Sequence, residues 1–193
     1  MKIKLFAFCA MFGMTAFMTS CTKEEIVSTS EGNGVVEMTE KSNAPGAQPI
    51  AQIAINAGFS ELVGALSYVD AELNAGLVNL FMNGTDQYTV FAPTNEAFMN
   101  LYAALGVDSI DDLPADLVLD VLLYHVVEGR RSANSVVPKK NSRNISTLLG
   151  VNFTVNPQAQ ITAVGNTASI VAADISASNG VIHVINTVIL PIN

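Results

Sequence analysis

The sequence predicts an α+β domain, and three observations carry that prediction. Residues 50–124 repeat apolar side chains at helical spacing. After His125 the apolar residues come in short β-branched runs separated by turn residues. The last run, Val181–Leu190, is apolar on both faces, as expected of a central strand covered on both sides. Helices first and strands later argue against an alternating parallel fold.

The elements follow in order. Ile50, Ile53, Ala54 and Ala57 share one helical face, and Gly58 stops it. Ser60 is placed to cap a second helix with the stripe Leu62, Val63, Leu66, Val69 and Leu73, interrupted at Gly76. Leu77–Met82 is a short apolar run before the Asn83-Gly84 turn signal. Tyr88–Ala92 reads as a strand, with Tyr88, Val90 and Ala92 on one face and Thr89 and Phe91 on the other. Pro93 stops it, having no N–H for the ladder. Thr94 or Asn95 caps the next helix, and Glu96 lies in its first turn, where negative charge is favoured. Its stripe is Ala97, Phe98, Leu101, Tyr102 and Leu105, ended by Gly106. Another helix begins near Pro114, with Leu117, Val121, Leu122 and Tyr124 on one side. The expected strands are Val126-Val127, Ser135–Val137, Val151–Val155, Ile161–Val164, Ser169–Ala173 and Val181–Leu190.

The N-terminus reads differently. Lys2 and Lys4 precede Leu5–Met18, a stretch without charge. As a helix it spans roughly 21 Å, short of the roughly 30 Å of a bilayer core. A signal peptide over residues 1–20 explains it better than a membrane span. Met18-Thr19-Ser20-Cys21 resembles the lipobox of bacterial lipoproteins, with Met18 where Leu is usual. An ordinary secretory signal cut near Ser20 is the alternative. Cys9 lies in the removed stretch, so Cys21 would be the only cysteine of the mature chain and no internal disulfide can form. Lipid on Cys21 resolves that lone thiol and anchors the protein to a membrane. The expected location is extracytoplasmic, at the outer membrane. Lys23-Glu24-Glu25 resembles the surface-export signal of some Gram-negative lipoproteins; a generic charged linker is the alternative.

Cys21 and the stretch to Gln48, rich in Glu, Ser, Thr, Gly and Asn, form a solvated tether between the anchor and a domain at 49–193. Flexible chain of that length reaches roughly 25–30 Å. Without residues 1–20 the chain holds seven basic and seventeen acidic residues, a formal charge of −10. Such a chain is a poor nucleic-acid binder as a whole.

Two segments narrow the fold further. Thr89–Phe98 reads TVFAPTNEAF and Asn179–Pro191 reads NGVIHVINTVILP, with Tyr124-His125 between them. In this order they resemble the two signatures and the Tyr-His dipeptide of the fasciclin domain. LLYHVVEG at Leu122–Gly129, TLLG at Thr147–Gly150 and Ala173-Asp174-Ile175 fit as well. The resemblance covers roughly Gln48–Asn193. It implies a wedge-like two-sheet β core with several helices packed against it. It also implies adhesion, through binding of proteins or polymers, and not catalysis. Asn186 departs from the Asp common in the family, which puts a charged role there in doubt. In some fasciclin-domain matrix proteins the segment around the Tyr-His dipeptide is associated with integrin binding.

The candidate chemistry is sparse. His125 and His183 lack the spacing of a zinc site, so no metal or cofactor is expected. No phosphate loop or activated nucleophile is evident. Asp111, Asp112, Asp116 and Asp120 read as helix-start charge and a solvated face. Tyr124 and His125 are expected on the same side as the apolar stripe, buried with their polar atoms bonded. His183 alternates with Val181 and Ile185, so burial is expected there too. Thr94, Asn95, Tyr124, His125, His183 and Asn186 thus read as structural members of the family motifs.

The charge map points elsewhere. Arg130, Arg131, Lys139, Lys140 and Arg143 fall within fourteen residues, and no acid lies between Gly129 and Ala173. Two loops kept soluble by basic residues are the simple reading. The functional reading is an edge that docks an anionic polymer, an acidic protein, or the acidic face of another copy in weak self-association. A carrier of a small apolar ligand is the alternative function, and it requires a cavity between helices and sheet.

Overall fold

The computed structural model describes residues 46–192. The expected signal peptide, the expected lipid site Cys21 and the expected tether as far as residue 45 lie outside the described residues. The elements run α1 (Ile50–Asn56), α2 (Ser60–Leu73), α3 (Leu77–Asn83), β1 (Tyr88–Pro93) and α4 (Asn95–Leu105). A 3-10 turn at Ile110–Asp112 leads to α5 (Ala115–Tyr124), β2 (Val126–Glu128) and α6 (Ala133–Val136). Then come β3 (Arg143–Ser146), β4 (Asn152–Val155), β5 (Gln160–Thr162), β6 (Thr167–Ala177) and β7 (Gly180–Ile185). Helices precede strands and the class is α+β.

The strands form one hydrogen-bonded series, β2-β1-β7-β6-β5-β4-β3. β6 is the hinge of the wedge. Its first three residues pair with β5, and Ile170–Ala177 pair with β7 across two register shifts. Such irregularities bend a strand and raise its twist, so the series folds into two facing sheets. β7 lies between β1, which runs parallel to it, and antiparallel β6. It is buried along its whole length.

Two apolar clusters result. The first holds Val90, Ala92 and Ile182 from the sheet with Ile50, Leu62, Leu66, Phe81, Phe98 and Leu122 from the helices. The second lies between the two sheets and holds Phe91, Ile185, Ile145, Phe153, Val155 and Ile161. Phe91 and Phe153 meet edge to face at 5.1 Å, and Tyr124 meets Phe153 likewise at 5.9 Å. The alternation expected along β1 therefore assigns each residue to the correct core.

Several expectations need correction. Ser135–Val137 is not a strand; residues 133–136 form the one-turn α6, with Val136 turned inward. β3 was not anticipated, because its pattern has one buried residue, Ile145, among exposed polar ones. The last strand stops at Ile185, where Asn186-Thr187 bends; Val188 and Ile189 continue inward as irregular chain, one in each core. Leu77–Met82 becomes α3. On α5 the buried residues are Val118, Leu122 and Tyr124, while Leu117 and Val121 flank them half-buried. Tyr124 and His125 do not share a side: Tyr124 turns into the second core, and His125 backs the helices of the first. Successive helical residues are about 100° apart, which suffices to part them where the helix ends.

Ser60 does not cap α2. It is the first helical residue, and its side chain makes no cap bond. The N–H of Glu61 instead donates to Asn95 Oδ1 at 3.2 Å, and Asn95 Nδ2 donates to Gly58 O at 2.9 Å. Thr94 Oγ1 caps α4, accepting from Ala97 N–H at 3.2 Å. Adjacent residues of the first motif thus cap two helices.

Asn179 does similar work at the other end of the sheet. Its Oδ1 accepts the N–H of Ile50 at 2.8 Å, and its Nδ2 donates to Phe81 O at 3.0 Å. One buried amide joins the start of α1 to α3 and the β6–β7 turn. Gly180 follows because a Cβ there would lie 2.0 Å from Tyr88 O. Asn179→Ala leaves a donor and an acceptor unpaired in the core. Urea unfolding is expected to show a loss of roughly 2–4 kcal/mol; a loss under about 0.5 kcal/mol would contradict this role.

Candidate functional site

The motif residues chiefly stitch backbone. His125 Nε2 accepts the N–H of Ile189 at 3.0 Å, so Nδ1 carries the proton and donates to Val121 O at 2.6 Å. The ring is buried and neutral, with its pKa pushed down to about 4 by desolvation, against a smaller opposing effect of the Val121 bond. Tyr124 OH donates to Asn152 O at 3.1 Å, tying α5 to β4. Asn186 is exposed, and its Oδ1 accepts from Ser169 N–H at 2.8 Å. An amide oxygen suffices for that bond, so the departure from Asp costs no contact.

His183 has the opposite tautomer. Nδ1 accepts from Asp174 N–H at 3.3 Å, and Nε2 donates to Arg131 O at 2.9 Å. Burial lowers its pKa. The bond to Arg131 belongs to a strap, residues 129–133, that crosses β1, β7 and β6. Thr89 Oγ1 donates to Gly129 O at 2.7 Å and accepts from Arg131 N–H at 2.8 Å. Asp174 Oδ1 accepts from Ala133 N–H at 2.6 Å. Each strand crossed offers one side chain to the strap.

The strap carries the first two basic candidates. Arg130 is half-buried and clamps the β6–β7 turn. Its Nη1 donates to Ala177 O at 2.8 Å and Gly180 O at 2.6 Å, and its Nη2 donates to Ser176 Oγ. Arg130 is therefore held in the fold. Arg131 is half-buried, with its Nε bonded to Glu128 O at 3.3 Å. Lys139, Lys140 and Arg143 are exposed, and an Arg143 guanidinium N–H donates to Ser135 O. Thr89 and Asp174 were missed as supports of this surface. Asp174 had a signal: it is the only acid after Glu128.

Among the described residues, all five lysines and arginines lie in 130–143, while eleven of twelve acids lie at or before Glu128. Charge is thus polarised along the chain, with the basic residues in one segment from the strap to β3 and the acids almost all before it. Beside Lys139 an open groove of about 540 Å³ runs between Val137-Pro138, the turn at Pro157–Ala159, and Ile170–Ala173 of β6.

A second cavity lies between α2, α4, α5 and residues 188–192. It is wholly apolar, lined by Leu62, Phe98, Leu117, Val121, Val188 and Leu190 among others, and measures about 80 Å³. A cavity of roughly 150 Å³ is what takes a benzene ring, so this one holds no pigment-sized ligand without opening. Among the described residues, no three His, Cys, Asp or Glu side chains gather as a metal site. No described helix is long and apolar enough to cross a membrane.

The chain is similar in sequence to known proteins. Residues 57–191 match the family model of the Fasciclin domain. The chain is 34% identical over 193 residues to protein sll1483 of Synechocystis sp., covering 97% of this chain and 96% of that one. It is 36% identical over 147 residues to immunogenic protein MPB70 of Mycobacterium bovis, covering 74% and 69%. It is 37% identical over 148 residues to cell surface glycolipoprotein MPB83 of the same species, covering 74% of this chain and 60% of the relative. Among solved structures, a FAS1 domain pair from the insect cell adhesion molecule fasciclin I aligns at 18% identity, with a TM-score of 0.48, over 68% of this chain and 45% of that one.

The buried histidines give stability a pH dependence. The folded pKa of His125, about 4, lies below the ordinary 6.5. Between those values the unfolded chain takes up a proton and the folded one does not. This contribution is complete above pH 6.5 and is lost as pH falls toward 4. His183 adds in the same direction. Urea titrations are expected to show a loss of roughly 2 kcal/mol between about pH 7 and about pH 5. His125→Gln should flatten that slope, and an unchanged slope in the variant would refute the assignment.

Proposed function

Because the chain belongs to the fasciclin domain family, we propose that it is a lipid-anchored, extracytoplasmic binding module for adhesion or surface assembly, not an enzyme. Lipid on Cys21 holds it to the membrane, the tether lets it stand off, and the rigid domain presents one binding surface. The mycobacterial relative described as a cell surface glycolipoprotein supports the location. The Met18–Cys21 motif and the charged start of the tether support the anchor.

The observation that carries the binding role is the charge polarisation. A domain with five basic and twelve acidic residues places every basic one in a single fourteen-residue segment. Arg131, Lys139, Lys140 and Arg143 form the working surface, and Arg130 supports it from within the fold. An anionic polymer or an acidic protein is the matching partner. Single-domain affinity is modest, and many copies on one membrane strengthen it.

Two measurements test this. Cys21→Ser should move the protein from the membrane fraction to the soluble fraction and abolish incorporation of labelled fatty acid; a membrane-bound, labelled variant would exclude the anchor. Neutralising Arg131, Lys139, Lys140 and Arg143 to Gln should weaken binding to immobilised polyglutamate by at least about tenfold and remove its salt dependence. Equal binding by the variant would exclude the surface.

A further inference from the structure

β6 carries an open edge. β5 pairs with its first residues, Thr167–Ser169, and the N–H of Ile170 reaches Ala159 O at 3.0 Å. Past that point β7 continues along one side, and among the described residues no strand lies along the other. Farther on, Asp174 Oδ1 accepts the N–H of Ala133 at 2.6 Å, and Ala177 O accepts the N–H of Gly46 at 3.1 Å and Arg130 Nη1 at 2.8 Å. The stretch between is Val171–Ala173, and all three residues are exposed, Val171 by 57%. It forms one wall of the groove of about 540 Å³. The two register shifts of β6 fall here and bend it away from β5, which opens the groove. Native edges are blunted by charge, proline, a bulge or cover. Here the strand has its register shifts, yet no charge and no proline stands at Val171–Ala173.

We propose that Val171–Ala173 and the groove beside it take an extended segment of an acidic partner protein as an added strand, with small apolar side chains in the groove and a carboxylate at Lys139. The proposal deepens the reading of 130–143 as a surface for an acidic protein and rests on it for the partner's charge. The lining selects the occupant. Val137, Pro138, Pro157 and Ala159 make the facing wall apolar. Of the lining residues only Asn134 and Lys139 have polar side chains, none is aromatic and none is acidic. A sugar polymer needs many polar partners or an aromatic face, and finds neither here. An extended peptide matches all three features. Its backbone uses the strand edge, its alternate side chains use the apolar walls, and one acid complements Lys139. Charge attracts and orients the segment, and main-chain pairing holds it.

Peptides with blocked edges test the idea. The mature chain carrying Cys21→Ser would be titrated against a fluorescent hexapeptide that alternates valine and glutamate, with anisotropy as the readout. Binding is expected, and the valine–lysine counterpart should bind at least about tenfold more weakly. In an extended chain the N–H groups of successive residues face opposite edges. N-methylation of the valines therefore blocks one edge, and N-methylation of the glutamates blocks the other. One methylated peptide should bind at least about tenfold more weakly than the parent, and the other should match it. Val171→Glu, at an exposed position, should weaken the parent peptide by at least about tenfold. A parent peptide that does not bind, two methylated peptides that behave alike, or Val171→Glu without effect would each overturn the proposal. Polyacrylate, which carries carboxylates and no amide, separates this outcome from the fate of the basic surface. Salt-sensitive binding of polyacrylate together with any of those peptide results overturns the added strand and leaves the surface standing. Binding of neither probe overturns both.

Discussion

The structure depends on one strand having no water beside it. Gly180–Ile185 is paired on both edges and covered on both faces. Every polar group near it must then be neutral or bonded to backbone, since an unpaired buried group costs about as much as a lost hydrogen bond or more. Asn179, His183 and Thr89 meet that requirement by bonding main chain that would otherwise lack partners. No buried side-chain nitrogen or oxygen among the described residues is left unsatisfied. The need to satisfy polar atoms around β7 is what fixes the helix starts, the β6–β7 turn and the strap.

That constraint explains which parts were legible in the sequence. Period-2 alternation in Tyr88–Ala92 and double-faced apolarity in Val181–Ile185 are local patterns, and both elements were found. Helix starts were legible where the cap is local, as at Thr94, and not where it comes from elsewhere. Ser60 looked like a cap, but Asn95, distant in sequence, supplies it. Ser135–Val137 looked like a strand because Val is β-branched, yet the strap turns there and only Val136 needs burial. β3 escaped because an edge strand with one inward side chain has almost no periodic signal.

The candidate surface was legible in part for the same reason. Clustered charge is a property of sequence, so Arg130–Arg143 stood out. What separates Arg130 from its neighbours is a set of carbonyls at Ala177 and Gly180, nearly fifty residues away. The strap that carries Arg131 is held by Thr89, His183 and Asp174, one from each strand it crosses. The motif segments and the basic segment are thus mechanically joined: side chains of β1, β7 and β6 fix the backbone of Arg131 and Ala133.

The central claim is that the motif segments build the scaffold and the basic segment 130–143 does the binding. Backbone chemical-shift mapping of the labelled domain during titration with polyglutamate tests it most directly. The expected result is a contiguous set of perturbed amides at 130–143 and along the groove at 170–173, with Thr94, Asn95 and Asn186 unmoved. Perturbations centred on the motif segments or on the apolar cavity, with the strap silent, would contradict it.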